Sequence, residues 1–241
     1  MSEYTCFKYR PIDKRLLELL ITSTMYFPKP EQLNDPFDCS VSLPSAIQRA
    51  MTDPSCTSSD ALREFQSQEE NTGRFRANIA KVGVGSFSLA HNETLLWSHY
   101  AANHTGCALR FSFSEDFLND ENRILGVAQL EYTSNPISEW LAKNAQLHSE
   151  NHQAFIIGLM KKVLMSKAPA WDYEQEGRIV LLEAGRLEIP RASLQTVLFG
   201  LNTTAEDIAL VRRIAEKHFE GVTFGKVIRT QDDYGLDTVE I

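Results

Sequence analysis

What most constrains this chain is that its two periodicities alternate without a regular rhythm. Runs of alternating aromatic and β-branched residues, such as YTCFKYR at 4–10 and VTFGKVIR at 222–229, predict strands. Between them lie stretches whose apolar residues recur at helical spacing. No regular βαβ repeat emerges, so the pattern predicts a mixed α+β fold: a largely antiparallel central sheet flanked by helices.

Read along the chain, the first strand ends near Arg10, and Asp13 caps a helix built on Leu16, Leu17, Leu19 and Leu20. A short strand at Thr24–Phe27 precedes PKPEQLNDPFDC, whose prolines and Asn34-Asp35-Pro36 step force extended or turn geometry. Residues 45–81 are polar and helix-prone. They predict a helical insertion, a short helix and then a longer one from about Ser59, that could serve as a lid. VGVGSFSL at 82–89 is a strand whose two glycines imply that something approaches its backbone closely. Glu93–Asn103 is a helix, CALRFSF a strand, and ILGVAQLEY a further strand of the sheet. The longest helical segment is 137–167. GRIVLL and GRLEI form a hairpin-like pair, and LQTVLFG is a buried strand. A helix from Ala205 to Phe219, capped by Thr203 or Thr204, and strands at 222–229 and 236–240 complete one domain over 1–241.

The charge balance, 24 basic against 32 acidic residues, argues against gripping nucleic acid over a broad surface. Cys6, Cys39, Cys56 and Cys107 show no CxxC spacing and read as reduced residues. No signal-like or membrane-spanning apolar run occurs in the sequence, so the expected location is cytoplasmic, with no membrane partner.

Four constellations could carry chemistry. Arg10, beside Tyr9 at a strand end, could hold a phosphate or carboxylate through paired hydrogen bonds, or could pair with a surface acid. Asn34-Asp35-Pro36-Phe37-Asp38 fits both a structural turn with Phe37 anchored in the core and a ligand-contacting loop. Trp97-Ser98-His99-Tyr100 puts four hydrogen-bonding side chains in sequence. His99 is a candidate general base, while Trp97 as a core anchor is the plainer reading. Glu174, Glu176 and Arg178 would share one face if the segment were extended, and charges at the mouth of a buried strand are costly unless paired or serving a ligand. His148 and His152 have helical i,i+4 spacing but sit in HSENH, which reads as two solvated histidines; no metal site is expected.

FKYRPID, MYFPKPEQLNDPFDC, LLWSHYAANHTG and WDYEQEGRIVL together resemble the bacterial family known as domain of unknown function 2971. More distantly, Arg10, Ser86-Phe87-Ser88 and Glu174-Gln175-Glu176 occur in the order found in arginine-serine-glutamate ADP-ribosyltransferases, with Phe87 standing where those enzymes carry Thr. That resemblance implies an ADP-ribosyltransferase-like sheet and NAD as substrate. It gives phosphate binding to Arg10, pocket shaping to Ser86 and Ser88, transition-state stabilisation to Glu176 and acceptor positioning to Glu174. Tyr9, Asn34, Asp35, Phe37, Trp97, Tyr100 and Arg178 are expected around the nucleotide. One alternative is a nuclease-like or other hydrolase using His99 with Asp35, Asp38 or Glu176. Another is a non-catalytic ligand-sensing or defence-associated module.

Overall fold

A computed structural model describes residues 3–40, 42–231 and 234–241. The chain opens with β1 (Tyr4–Arg10), then α1 (Lys14–Thr22), whose first turn is capped by the Asp13 carboxylate accepting the Leu16 N–H, then β2 (Thr24–Phe27). After the proline-rich turn come α2 (Leu43–Thr52), α3 (Ser59–Thr72) and α4 (Arg74–Lys81), followed by β3 (Gly83–Ser88). Next are α5 (Thr94–Tyr100), β4 (Cys107–Phe113), α6 (Glu115–Leu118), β5 (Ile124–Gln129) and β6 (Glu131–Tyr132). Helices α7 (Pro136–Asn144), α8 (Leu147–Glu150) and α9 (His152–Leu164) lead into β7 (Ser166–Lys167) and a 3-10 turn over Pro169–Glu174. The chain ends with β8 (Glu176–Leu181), β9 (Gly185–Glu188), β10 (Leu194–Phe199), α10 (Ala205–His218), β11 (Thr223–Arg229) and β12 (Leu236–Glu240).

Eight strands form one sheet in the order β12-β11-β10-β4-β1-β3-β8-β5. It is antiparallel except between β10 and β11, which run parallel and are joined through α10. The α+β fold with a largely antiparallel sheet flanked by helices is therefore as the periodicities predict. One face packs Cys6, Leu109, Phe111 and Val197 against Leu16, Leu19 and Leu20 of α1 and Val211 and Ala215 of α10. The other face is covered twice. Helices α2–α4, α7 and α9 gather over Val84 and Val180, while α5 lays Leu96 and Trp97 over Phe7, Tyr9 and Ala108. The 45–81 stretch contributes Ile47, Leu62, Phe65 and Phe75 to the core of this covering.

Between these two coverings the sheet splits. β1 pairs with β4 along its whole length but with β3 at one register point, Phe7 opposite Ser88. The end of β2 fills the gap: the Val84 N–H donates to the Pro28 carbonyl at 2.8 Å, and the Phe27 ring presses on the β3 backbone. This is the close approach implied by the two glycines, since a Cβ on Gly85 would sit 2.3 Å from the edge of the Phe27 ring.

Several local expectations are corrected by tertiary pairing. GRIVLL and GRLEI are not a hairpin: β8 lies between β3 and β5, and β9 pairs with β2 outside the main sheet. Glu131–Tyr132 leaves the sheet to pair with β7. The long helix from Ser59 breaks at left-handed Gly73, and 137–167 is three helices. The helix from Glu93 stops at Tyr100, because Ala102, Asn103 and His104 all take positive φ. His148 is buried, packed on Phe65 and Phe155 rather than solvated. Among the described residues no helix is long and apolar enough to cross a membrane.

Gly85→Ala should overpack the buried Phe27 ring and lower stability by about 2 kcal/mol, visible as a reduced urea midpoint. Combining it with Phe27→Leu should cost less than the two single changes together, since relieving the clash makes them non-additive.

Candidate active site

The site is organised by a guanidinium with no exposure to solvent. Glu176 and Arg178 occupy alternate positions of β8, so both project from the same face of the sheet, under the helical covering. The Arg178 side chain is 0% exposed. It donates to Asp38 Oδ1 at 3.1 Å and Oδ2 at 2.8 Å, to Glu176 Oε1 at 2.9 Å and to the Leu164 carbonyl at 2.7 Å. Lys167, on β7, donates to Glu176 Oε2 at 2.9 Å and Glu174 Oε2 at 2.5 Å. Three carboxylates and two cations thus close a network whose five side chains are all nearly excluded from solvent.

Glu174 does not reach this network along an extended strand. It ends the 3-10 turn, and Gln175, at φ +43°, reverses the backbone before β8 begins. The reversal directs Glu174 towards α5, where its Oε1 accepts the Tyr100 hydroxyl at 2.5 Å. Asn34 Nδ2 donates to the same Tyr100 oxygen at 3.0 Å. The two carboxyl groups consequently stand in different fields. Burial raises Glu174, more than Lys167 and Tyr100 offset. Burial acts the same way on Glu176, but Arg178 and Lys167 overturn it and hold that carboxyl down at about 2.

Both carboxyl groups line a cavity of about 230 Å³ that opens where β1 parts from β3. Tyr9, Asn34, Ser86, Ser88 and Tyr100 share its wall with Asp38, Lys167 and Lys8. The Ser88 hydroxyl donates to the Glu174 carbonyl at 2.7 Å and accepts the Ala90 N–H at 2.9 Å, which fixes the turn below the cavity. Ser86, on the same wall, helps to hold the Glu176 carboxyl down. Arg10 is not in this wall. Strand alternation puts it with Cys6 and Lys8 on the α1 side, in an adjoining bay of about 430 Å³ with Arg15 and Arg186. Lys8, Pro28 and Gln32 line both spaces.

The remaining expected residues lie elsewhere. Trp97 is fully buried, its indole N–H donating to the His91 carbonyl at 2.9 Å and its edge against Tyr9, so it is the core anchor of α5. His99 is exposed, with Nδ1 3.2 Å from the Tyr173 hydroxyl; no hydrogen bond or ion pair joins it to Asp35, Asp38 or Glu176. Phe37 does not anchor its turn in the core: it is 81% exposed, because the Asp35 carboxylate accepting the Phe37 N–H at 2.9 Å already fixes the loop. Asp35 and Phe37 line a separate cavity of about 290 Å³ on the far side of Asp38 and Lys167. Sequence reading missed Lys8 and Lys167. Lys167 carried no signal beyond following the apolar end of α9, whereas Lys8, a cation between Phe7 and Tyr9 inside a strand, could have been noticed.

Fold and site together define a split-sheet α+β protein with a buried carboxylate–cation network at the split. Residues 96–179 match the family model described as protein of unknown function DUF2971, the family that the sequence motifs resemble. No curated protein and no solved structure matches the chain. The matched segment holds Trp97–Tyr100 and Tyr173–Arg178 but not Asn34–Asp38, and the Asp38–Arg178 ion pair ties that third motif to it.

Arg178→Met should destabilise the fold by about 3–5 kcal/mol, since it leaves Asp38 and Glu176 buried with one cation fewer. In the wild type, Glu176 lies below its unfolded value near 4.5, so its contribution is complete above that pH and is lost as pH falls towards 2. Acid titration by circular dichroism should therefore show Glu176→Gln lacking part of the stability loss between pH 4.5 and 2.

Proposed function

We propose that the cavity at the β1–β3 split binds a nucleotide and that the protein is an NAD-dependent ADP-ribosyltransferase-like enzyme. The observation that supports this most directly is that two adjacent carboxyl groups in one cavity are driven to opposite protonation behaviour, the arrangement that separates an ionised stabiliser from a proton-handling partner. The two spaces suit a dinucleotide by shape and charge. The cavity offers Phe7, Tyr9 and Leu96 beside its polar groups, and the adjoining bay offers Arg10 and Arg15. Their joint size falls in the range of roughly 300–1,000 Å³ that holds ligands of this kind.

NAD supplies a glycosidic bond whose cleavage releases nicotinamide and leaves positive charge on the ribosyl carbon. Glu176, held ionised by Lys167 and Arg178, presents negative charge to that carbon without reorganising. Glu174, raised by burial and hydrogen-bonded to Tyr100, accepts the proton of the attacking acceptor. Arg10, across the split, holds phosphate oxygens. A hydrolase using His99 with Asp35 or Asp38 draws no support from the geometry, since His99 bonds Tyr173 and Asp38 bonds Arg178.

Metal-free incubation with adenylate-labelled NAD and cell lysate tests this reading by following free nicotinamide and label attached to macromolecules. Wild type should release nicotinamide, Glu176→Gln should lose about 10²–10³ in rate, and Arg10→Ala should require more NAD for the same rate. Absence of both NAD binding by calorimetry and nicotinamide release would sink it, as would full activity in Glu176→Gln.

A further inference from the structure

Lys8 is the one cationic side chain among the described residues that lines both the cavity and the bay. It stands in the slot where the β1–β3 ladder is missing. Its stem runs over the Phe87 ring, with Nζ 5.2 Å from the centroid, and the amino group donates to the Ser86 carbonyl at 2.5 Å. That carbonyl is neutral, and among the described residues no carboxylate forms a salt bridge with Lys8, unlike Lys167, which has three. The charges facing Lys8 are Arg10 on its own strand and Glu176 and Arg178 on β8, with the Cys6 thiol also nearby.

We propose that Lys8 is a nucleophilic amine that forms an imine with a carbonyl compound carrying a phosphate, the phosphate being held by Arg10 and Arg15 in the adjoining bay. The lone pair of the Lys8 amine attacks the carbonyl carbon and the carbonyl π pair moves to oxygen. One nitrogen proton passes to that oxygen and a second proton reaches it from an acid in the cavity, so the oxygen leaves as water and a protonated C=N bond remains. Glu174 in the same cavity can supply the proton that the departing oxygen takes. Burial, with Arg10 next, pulls the Lys8 ammonium down to about 7, so that a large share is uncharged near neutrality, when an ordinary lysine is almost wholly protonated. A nearby cation and a desolvated setting are the two conditions that make an amine available for this chemistry. The reactivity does not depend on NAD being the nucleotide bound in the cavity.

The test uses pyridoxal 5′-phosphate as a phosphorylated aldehyde, with borohydride to reduce any imine to a stable secondary amine and peptide mass mapping to locate it. At pH 7.5 Lys8 should be labelled at least about tenfold faster than exposed lysines, and its rate should level off above about pH 8 while theirs keep rising towards pH 10. Arg15→Ala, or pyridoxal lacking the phosphate, should slow labelling of Lys8 severalfold and leave the surface lysines unchanged. Lys8→Arg keeps a donor for the Ser86 carbonyl. It should retain the wild-type thermal transition and lose the preferred adduct. Label spread evenly over surface lysines, or a Lys8 rate that follows theirs with pH, would overturn the proposal. Nicotinamide release from NAD, measured separately, is unaffected by either result.

Discussion

Arg178 is the interaction on which the rest of the site depends. A guanidinium removed from water is tolerated only when its donors are satisfied and its charge is met. Here Asp38 accepts two hydrogen bonds in parallel, Glu176 meets the inner edge, and the Leu164 carbonyl takes a further N–H. Each partner comes from a different part of the chain: the turn after β2, the start of β8 and the end of α9. The ion pair therefore acts as a clamp that fixes the turn after β2 and the end of α9 against β8 of the sheet. Its value is geometric, because desolvating five charged groups offsets much of their mutual attraction.

The second organising feature is the interrupted ladder between β1 and β3. A continuous sheet would leave no room among its central strands. Phe27, with its Cβ against Gly83 and its ring against Gly85, and Pro28, whose carbonyl accepts the Val84 N–H, cover β3 without β1, so the strands can part at little cost in hydrogen bonds. The opening falls between the helical covering and α5, and this exposes Ser86, Glu174 and Glu176 to a cavity while Trp97 stays sealed in the core. Charged side chains remain at the centre of the molecule because the split brings polar edges from several strands together there.

Much of the fold was legible because it is local. The β1 alternation, the Asp13 and Thr204 caps, and the apolar runs of β4, β8 and β10 read directly from neighbouring residues. The misreadings share one origin. β9 follows β8 after a tight connection yet pairs with β2, and Glu131–Tyr132 continues β5 in sequence yet pairs with β7. Strand pairing is decided by which edge is open, and that information does not lie in the strand itself. The Gly73 and 102–104 breaks take left-handed backbone, closed by the Gly73 N–H on the Glu69 carbonyl and the His104 N–H on the Trp97 carbonyl.

The sequence by itself determined the α+β class, the positions of most strands and helices, and a concentration of charge at Glu174–Arg178 that demanded partners. Only the tertiary structure decided what those partners are. Lys167 and Asp38 are drawn in from distant segments, Phe37 is turned outward, and Arg10 is placed across the split from the carboxylates. The physical reason is the range of the forces. Propensity, capping and periodicity act within a few residues, whereas satisfying a buried charge requires whichever opposite charge the closed fold brings within hydrogen-bond reach.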